Sequence, residues 1–306
     1  MADPTAGRPD GILAPPGTHD WFTFSALPDR PQLSWPDGHA VAISVILDLR
    51  AVEWETADRT PTVRPPGGRG LAPYPDFPRM SHREFGHRVG VFRLLEIMRA
   101  VGITPSAVVD VLTVERYARL VHHLRPVVSE FLAGGLSGSR PITSLMTEAE
   151  ERHYIGTTLA RLASGLGVTP AGWFGVEHSE SVRTPGLLAE SGLDYGADWT
   201  NDEQPYPMSA GALWNFPMSW ELCDLRAMHE RGVSADDYGD SIVEAADVLA
   251  AEGGRLLALH LHPWVSGQAF RADAVEGALA SLRARSDVWW ASPGEIVRWC
   301  RDRGVG

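Results

Sequence analysis

Ala40-Val-Ala-Ile-Ser-Val-Ile-Leu47 places seven apolar side chains and one hydroxyl in a row, directly before Asp48-Leu-Arg50. The run is short for a helix, rich in β-branched residues and without apolar–polar alternation. It reads as a strand covered on both faces, the habit of parallel sheets. Comparable runs follow at Ser106–Val111, Gly172–Phe174, Asp194–Ala197, Ala212–Phe216, Arg255–Leu261 and Val288–Ala291, with a weaker one at Leu136–Ser139. Helical stretches separate them. Thr147-Glu-Ala-Glu150 is a capping box, and Ser292-Pro-Gly-Glu295 sets a cap residue, a proline at the first helical position and a glutamate at the third. Residues 90–100 carry Val91, Leu94, Leu95 and Met98 at helical spacing and stop at Gly102. About eight such units predict an α/β barrel rather than an open doubly wound sheet.

Outside this alternation, residues 1–38 are rich in proline and glycine and read as an irregular N-terminal arm, pinned by Trp21, Phe22, Phe24 and Trp35. Residues 39–306 form a single barrel domain, whose first strand is followed by a long loop, 51–80, of the kind that usually serves function. The 306 residues carry 39 acidic side chains against 27 arginines and no lysine, a net charge of −12. That balance argues against nucleic acid as partner. The missing lysine removes Schiff-base chemistry and a phosphate-loop lysine. Cys223 and Cys300 have no metal-ribbon spacing and support no disulfide scaffold. Met1–Asp10 lacks the apolar core of a signal peptide, and no apolar run approaches 18 residues, so a cytoplasmic protein without a membrane partner is expected.

In a parallel barrel, chemistry sits at the C-terminal ends of the strands. That rule selects Asp48, Arg50, Asp110, Arg140–Ser144, Glu177, His178, Asp198–Glu203, Glu221–Asp224, His260 and His262. His260 and His262, two apart on one strand, point to the same side. They read either as a metal pair needing further donors, or as one packed histidine and one acid–base group at the mouth. Gly134-Gly-Leu-Ser-Gly138 misses the register of a nucleophile elbow, which sets a serine hydrolase aside.

Four strings resemble the polysaccharide-deacetylase (NodB-homology, carbohydrate esterase 4-like) superfamily, and within it the allantoinase-like branch. They are Ser81-His-Arg-Glu-Phe-Gly-His-Arg-Val-Gly-Val-Phe-Arg93, Gly172-Trp173 with Ser181-x-x-Thr-Pro185, Asp198-Trp-x-Asn-Asp-Glu-Gln-Pro-Tyr206, and Leu261-His-Pro-Trp-Val-Ser-Gly267 with Arg271. The resemblance implies a distorted (β/α) barrel of about seven parallel strands that hydrolyses a non-peptide C–N bond. It also implies an Asp base after the first strand, a metal held by a second acid and two third-strand histidines, and a late-strand His acid. Asp48 and His262 match the base and the acid. Arg50 stands where the branch has an acid, Arg140 at the first metal histidine and Ser144 near the second, so this chain reads as a divergent member that has lost the metal-binding residues.

The expectation is therefore a metal-independent enzyme, with no cofactor, acting on an amide or imide bond of a small anionic molecule. Asp48 is the expected base and His262 the acid, with Arg50 and Arg140 clamping an anion or oxyanion. His82, Asp198, His260, Trp264 and Glu203 are expected substrate contacts, and a homo-oligomer is expected. The alternatives are a scaffold repurposed for elimination, cyclisation or decarboxylation, and a catalytically silent small-molecule-binding protein.

Overall fold

The computed structural model describes residues 19–54 and 77–304. The first part of the arm (1–18) and most of the long loop (55–76) lie outside the described residues. The strands are β1 (Val41–Asp48), β2 (Ser106–Val109), β3 (Phe131–Ala133), β4 (Gly172–Trp173), β5 (Tyr195–Gly196), β6 (Tyr206–Pro207), β7 (Trp214–Asn215), β8 (Arg255–Leu261) and β9 (Val288–Trp290). They form one curled sheet in the order β6-β7-β5-β4-β3-β2-β1-β8, with β9 also on β1.

β1 is the axis of this sheet. One edge pairs with β8 over seven residues, from Val41 opposite Arg255 to Leu47 opposite Leu261. The other edge is shared between β9, along Val41–Ile43, and β2, along Ile46–Asp48. All neighbours are parallel except β6, which returns antiparallel on β7. No ladder joins β8 to the far edge among the described residues. Leu256 N–H donates to Glu203 O at 2.8 Å and Ala258 N–H to Ser219 Oγ at 3.1 Å. The expected distorted barrel is therefore a half-barrel bridged by loops.

The unbroken apolar character of β1 follows from two cores. Ala42 and Ile46 face inward with Leu132, Phe174, Tyr195, Phe216, Leu256 and Ala258. Val41, Ile43, Val45 and Leu47 face outward beneath the helices with Val91, Leu94, Leu257 and Leu279. A strand with apolar partners on both faces has no use for alternation.

The surrounding helices are α1 (Phe77–Phe85), α2 (Val91–Val101), α3 (Val111–Arg116), α4 (Ala118–Leu124), α5 (Glu148–Leu166), α6 (Thr184–Glu190), α7 (Ala235–Glu252), α8 (Ala269–Arg283) and α9 (Pro293–Arg303). Both capping boxes form as read, opening α5 and α9, and α2 ends on left-handed Gly102 at φ 73°. A π turn, Gly86–Gly90, links α1 to α2. Gly90 is required there, because a Cβ would lie 2.0 Å from Pro263 O in the loop after β8.

Two expectations are corrected, and one strand was missed. Leu136–Ser139 is not a strand: β3 lies upstream, and Gly135, at φ 90°, turns the chain into a loop. β6 was not foreseen, since two residues carry no periodicity. Phe24 does not pin the arm, being 86% exposed. Trp35 is buried and donates to Arg255 O at 2.9 Å, while Trp21 and Phe22 pack half-buried against the core.

Candidate active site

The β1–β8 register places Ile46 beside His260. Side chains alternate along a strand, so Asp48 joins His260 and His262 on the inner face at the C-terminal rim. Asp48 Oδ2 lies 3.0 Å from His260 Nε2 and 3.4 Å from His262 Nε2. Arg50 grips the same carboxylate, its Nε 3.1 Å from both oxygens and its Nη2 paired with Oδ2. Its Nη1 donates to the carbonyls of Phe174 and Gly175, and its guanidinium stacks 4.9 Å from the Phe174 ring. Gly134 makes room for this arginine, because a Cβ there would lie 2.8 Å from Arg50 Cδ.

Burial alone would raise the Asp48 pKa, but Arg50 and the two histidines outweigh it and hold the carboxyl well below its usual range. His262 is fixed from behind. Its Nδ1–H donates to Asp224 Oδ1 at 2.7 Å, while Asp224 Oδ2 accepts from the His262 backbone N–H and the Ser266 hydroxyl. Burial opposes a charge on His262, yet Asp224 prevails and raises its pKa well above the ordinary value. The site thus holds an ionised carboxylate beside a readily protonated imidazole. Cys223 Sγ lies 3.6 Å from His260 Nδ1. Burial raises the thiol, but His260 and His262 overcome it and bring it down to about 6.

The pocket at this rim is lined by Asp48, Arg50, Arg83, His87, Glu177, His262 and Trp264 among others. Arg83 is the residue that sequence reading missed. Its guanidinium lies 5.0 Å from the centre of the Trp264 ring, and its Nη2 is buried without a hydrogen-bond partner. Burial lowers its pKa against the attraction of Glu177 and Asp48, and among the described residues no carboxylate lies within ion-pair distance of it. Glu177 reaches the pocket through a strained turn in which it and His178 are left-handed, at φ 55° and 56°.

The remaining predicted residues separate. Arg140 does not join Arg50: its side chain is 52% exposed and its Nε and Nη2 donate to Glu53 at 2.6 and 3.0 Å. The loop after β3 swings it outward. Glu203 is at the opposite end of the barrel, where its carbonyl receives Leu256 N–H near the start of β8 and its carboxylate lies 3.7 Å from Arg255. Trp264 lines the pocket, and His82 packs edge-on against its outer side at 5.3 Å while remaining exposed. Asp198 is buried one layer beneath Arg50, its Oδ1 accepting Gly175 N–H at 2.7 Å, and it lines a neighbouring cleft with Glu180. Asp110 serves the framework, capping α3 through Thr113 N–H and holding Ala51 N–H.

These positions do not fit the metal site that the resemblance implies. An acid there is replaced by Arg50, which has no lone pair to give, and Arg140 and Ser144 lie on an exposed loop. Asp224 and Cys223 were legible only as part of a rim stretch, and nothing in the spacing joins them to His260 and His262, more than 35 residues away.

No protein-family profile and no curated protein matches the chain. Solved structures do. Puue allantoinase aligns with TM-score 0.75 at 22% identity, over 89% of this chain and 94% of that one. A probable polysaccharide deacetylase from Pseudomonas aeruginosa PAO1 aligns with TM-score 0.79 at 21% identity, over 90% and 95%. A CE4 family pseudoenzyme from Bacillus anthracis aligns more loosely, with TM-score 0.51 at 9% identity, over 84% and 65%. The similarity read from the four motifs is borne out in three dimensions: this chain has the fold of the polysaccharide deacetylases and of an allantoinase.

Proposed function

We propose that the chain hydrolyses an amide or imide C–N bond of a small anionic molecule, using acid–base chemistry of its own side chains. The observation that carries this reading is the buried line Asp224–His262–Asp48, which opens into the pocket at His262 and Asp48. Asp48 takes a proton from the attacking water as it adds to the carbonyl carbon. His262 Nε2–H gives a proton to the departing nitrogen, and return of the proton from Asp48 to His262 Nε2, 3.4 Å away, resets both groups. Asp224 keeps the imidazole in the tautomer and orientation that this requires. Arg50 is committed to Asp48, so the clamp expected of Arg50 and Arg140 passes to Arg83, whose unpaired guanidinium suits a substrate carboxylate. The fold neighbours, an allantoinase and a probable polysaccharide deacetylase, support the reaction class.

The closed Asp48–Arg50 pair favours a second reading, a silent binding protein whose carboxylate is never freed. One experiment separates the two. A panel of small N-acyl and cyclic-imide carboxylates is incubated in 18O-labelled water with the native chain and with His262→Ala. Label in the product carboxyl, lost in the variant, supports hydrolysis. Binding without conversion across the panel supports the silent protein, and unlabelled product points to a non-hydrolytic step.

A further inference from the structure

Cys223, His260 and His262 are all buried, and Sγ and one ring nitrogen from each histidine lie within 4.8 Å of one another. Among the described residues no other group of three such donors converges. The 3.6 Å between Cys223 Sγ and His260 Nδ1 equals the S···N edge of about 3.6 Å that tetrahedral zinc sets, with Zn–S about 2.3 Å and Zn–N about 2.0–2.1 Å. The opposite ring nitrogens are already taken by carboxylates, His260 Nε2 by Asp48 at 3.0 Å and His262 Nδ1 by Asp224 at 2.7 Å. That leaves His260 Nδ1 and His262 Nε2 as the lone-pair carriers, and ligating histidines are commonly held by carboxylates in this way.

We propose that Cys223 Sγ, His260 Nδ1 and His262 Nε2 form a site for one divalent transition-metal ion of the zinc or cobalt type. The fourth position falls to water, Asp48 being held on the other side of the His260 ring at Nε2. This site is separate from the third-strand positions of Arg140 and Ser144. The ion occupies the nitrogen that carries the catalytic proton, so loading suppresses hydrolysis. That consequence rests on the reading of His262 as the acid, whereas the site does not.

The test is a cobalt(II) titration of the metal-stripped full chain. One equivalent is expected to bind, with thiolate-to-cobalt charge-transfer absorption and the intense visible bands of a tetrahedral ion. Cys223→Ser removes the charge-transfer band and weakens binding at least tenfold, and Asp224→Asn weakens it by about 10–100-fold. X-ray absorption on the zinc-loaded native chain, which needs no variant, is expected to find one sulfur with nitrogen or oxygen neighbours. Failure to take up cobalt, a spectrum unchanged in Cys223→Ser, or zinc without a sulfur neighbour each overturns the site. Turnover that persists or rises with the ion bound leaves the site standing and overturns the metal-free acid–base reading.

Discussion

At the scale of single residues, two charges in the pocket have opposite commitments. Arg50 is committed to Asp48 and two carbonyls, while Arg83 is half-buried with a buried Nη2 that has no hydrogen-bond partner. A buried donor without an acceptor is costly, which is reason to expect an anionic ligand against Nη2. Arg83→Met is therefore expected to raise KM for a carboxylate-bearing substrate far more than for its neutral amide, with a smaller change in kcat. An equal effect on both substrates would remove Arg83 from anion recognition. His262→Ala and Asp48→Asn are each expected to lower kcat by about 10²–10⁴-fold, the usual worth of a positioned acid or base, measured with the variants' melting as a check on folding. Arg140→Ala, on an exposed ion pair, should change stability by less than about 1 kcal/mol and leave turnover within a factor of about two.

Among the elements, the contact between the π turn and the loop after β8 decides whether the pocket keeps its shape. Gly86 and Gly90 let α1 and α2 approach Pro263 and Trp264 so closely that side chains are excluded, since a Cβ on Gly86 would meet Trp264 N at 2.9 Å. Gly90→Ala must displace backbone rather than a flexible side chain. It is expected to cost about 1–3 kcal/mol in urea unfolding and to weaken binding of any pocket ligand, because Trp264 and His262 move with that loop. Unchanged stability would mean that the two segments are less tightly joined than the distances imply. The strained pair Glu177–His178 plays the corresponding part after β4, aiming Glu177 into the pocket and setting His178 against Phe174, at 4.9 Å between ring centres.

For the molecule as a whole, buried acids link stability to pH. Burial pushes Asp198 above the usual carboxylate range, to about 7, against the opposing pull of Gly175 N–H and Arg50. Between the ordinary carboxylate pKa and this raised value, the native state keeps a proton that the unfolded chain has released. The native state then binds more protons, so stability falls as pH rises through that window. Asp198→Asn removes this residue's part of the linkage, Glu180 keeping its own, and should gain on the native chain, by on the order of 2 kcal/mol, between pH 4 and pH 8 in urea unfolding. A difference independent of pH would show Asp198 ionised throughout. The sequence by itself determined the strands β1, β2, β4, β5, β7, β8 and β9, the capping boxes, the Gly102 stop and the place of Asp48 and His262 at the strand-end rim. Each of these depends on local periodicity or on a residue's position at the end of a strand. Tertiary structure decided that Arg83 rather than Arg140 faces the pocket, that Glu203 belongs to the other end, and that Cys223 and Asp224 meet the two histidines. Those outcomes depend on how the curled sheet and its loops bring distant segments together, and no spacing along the chain encodes that distance.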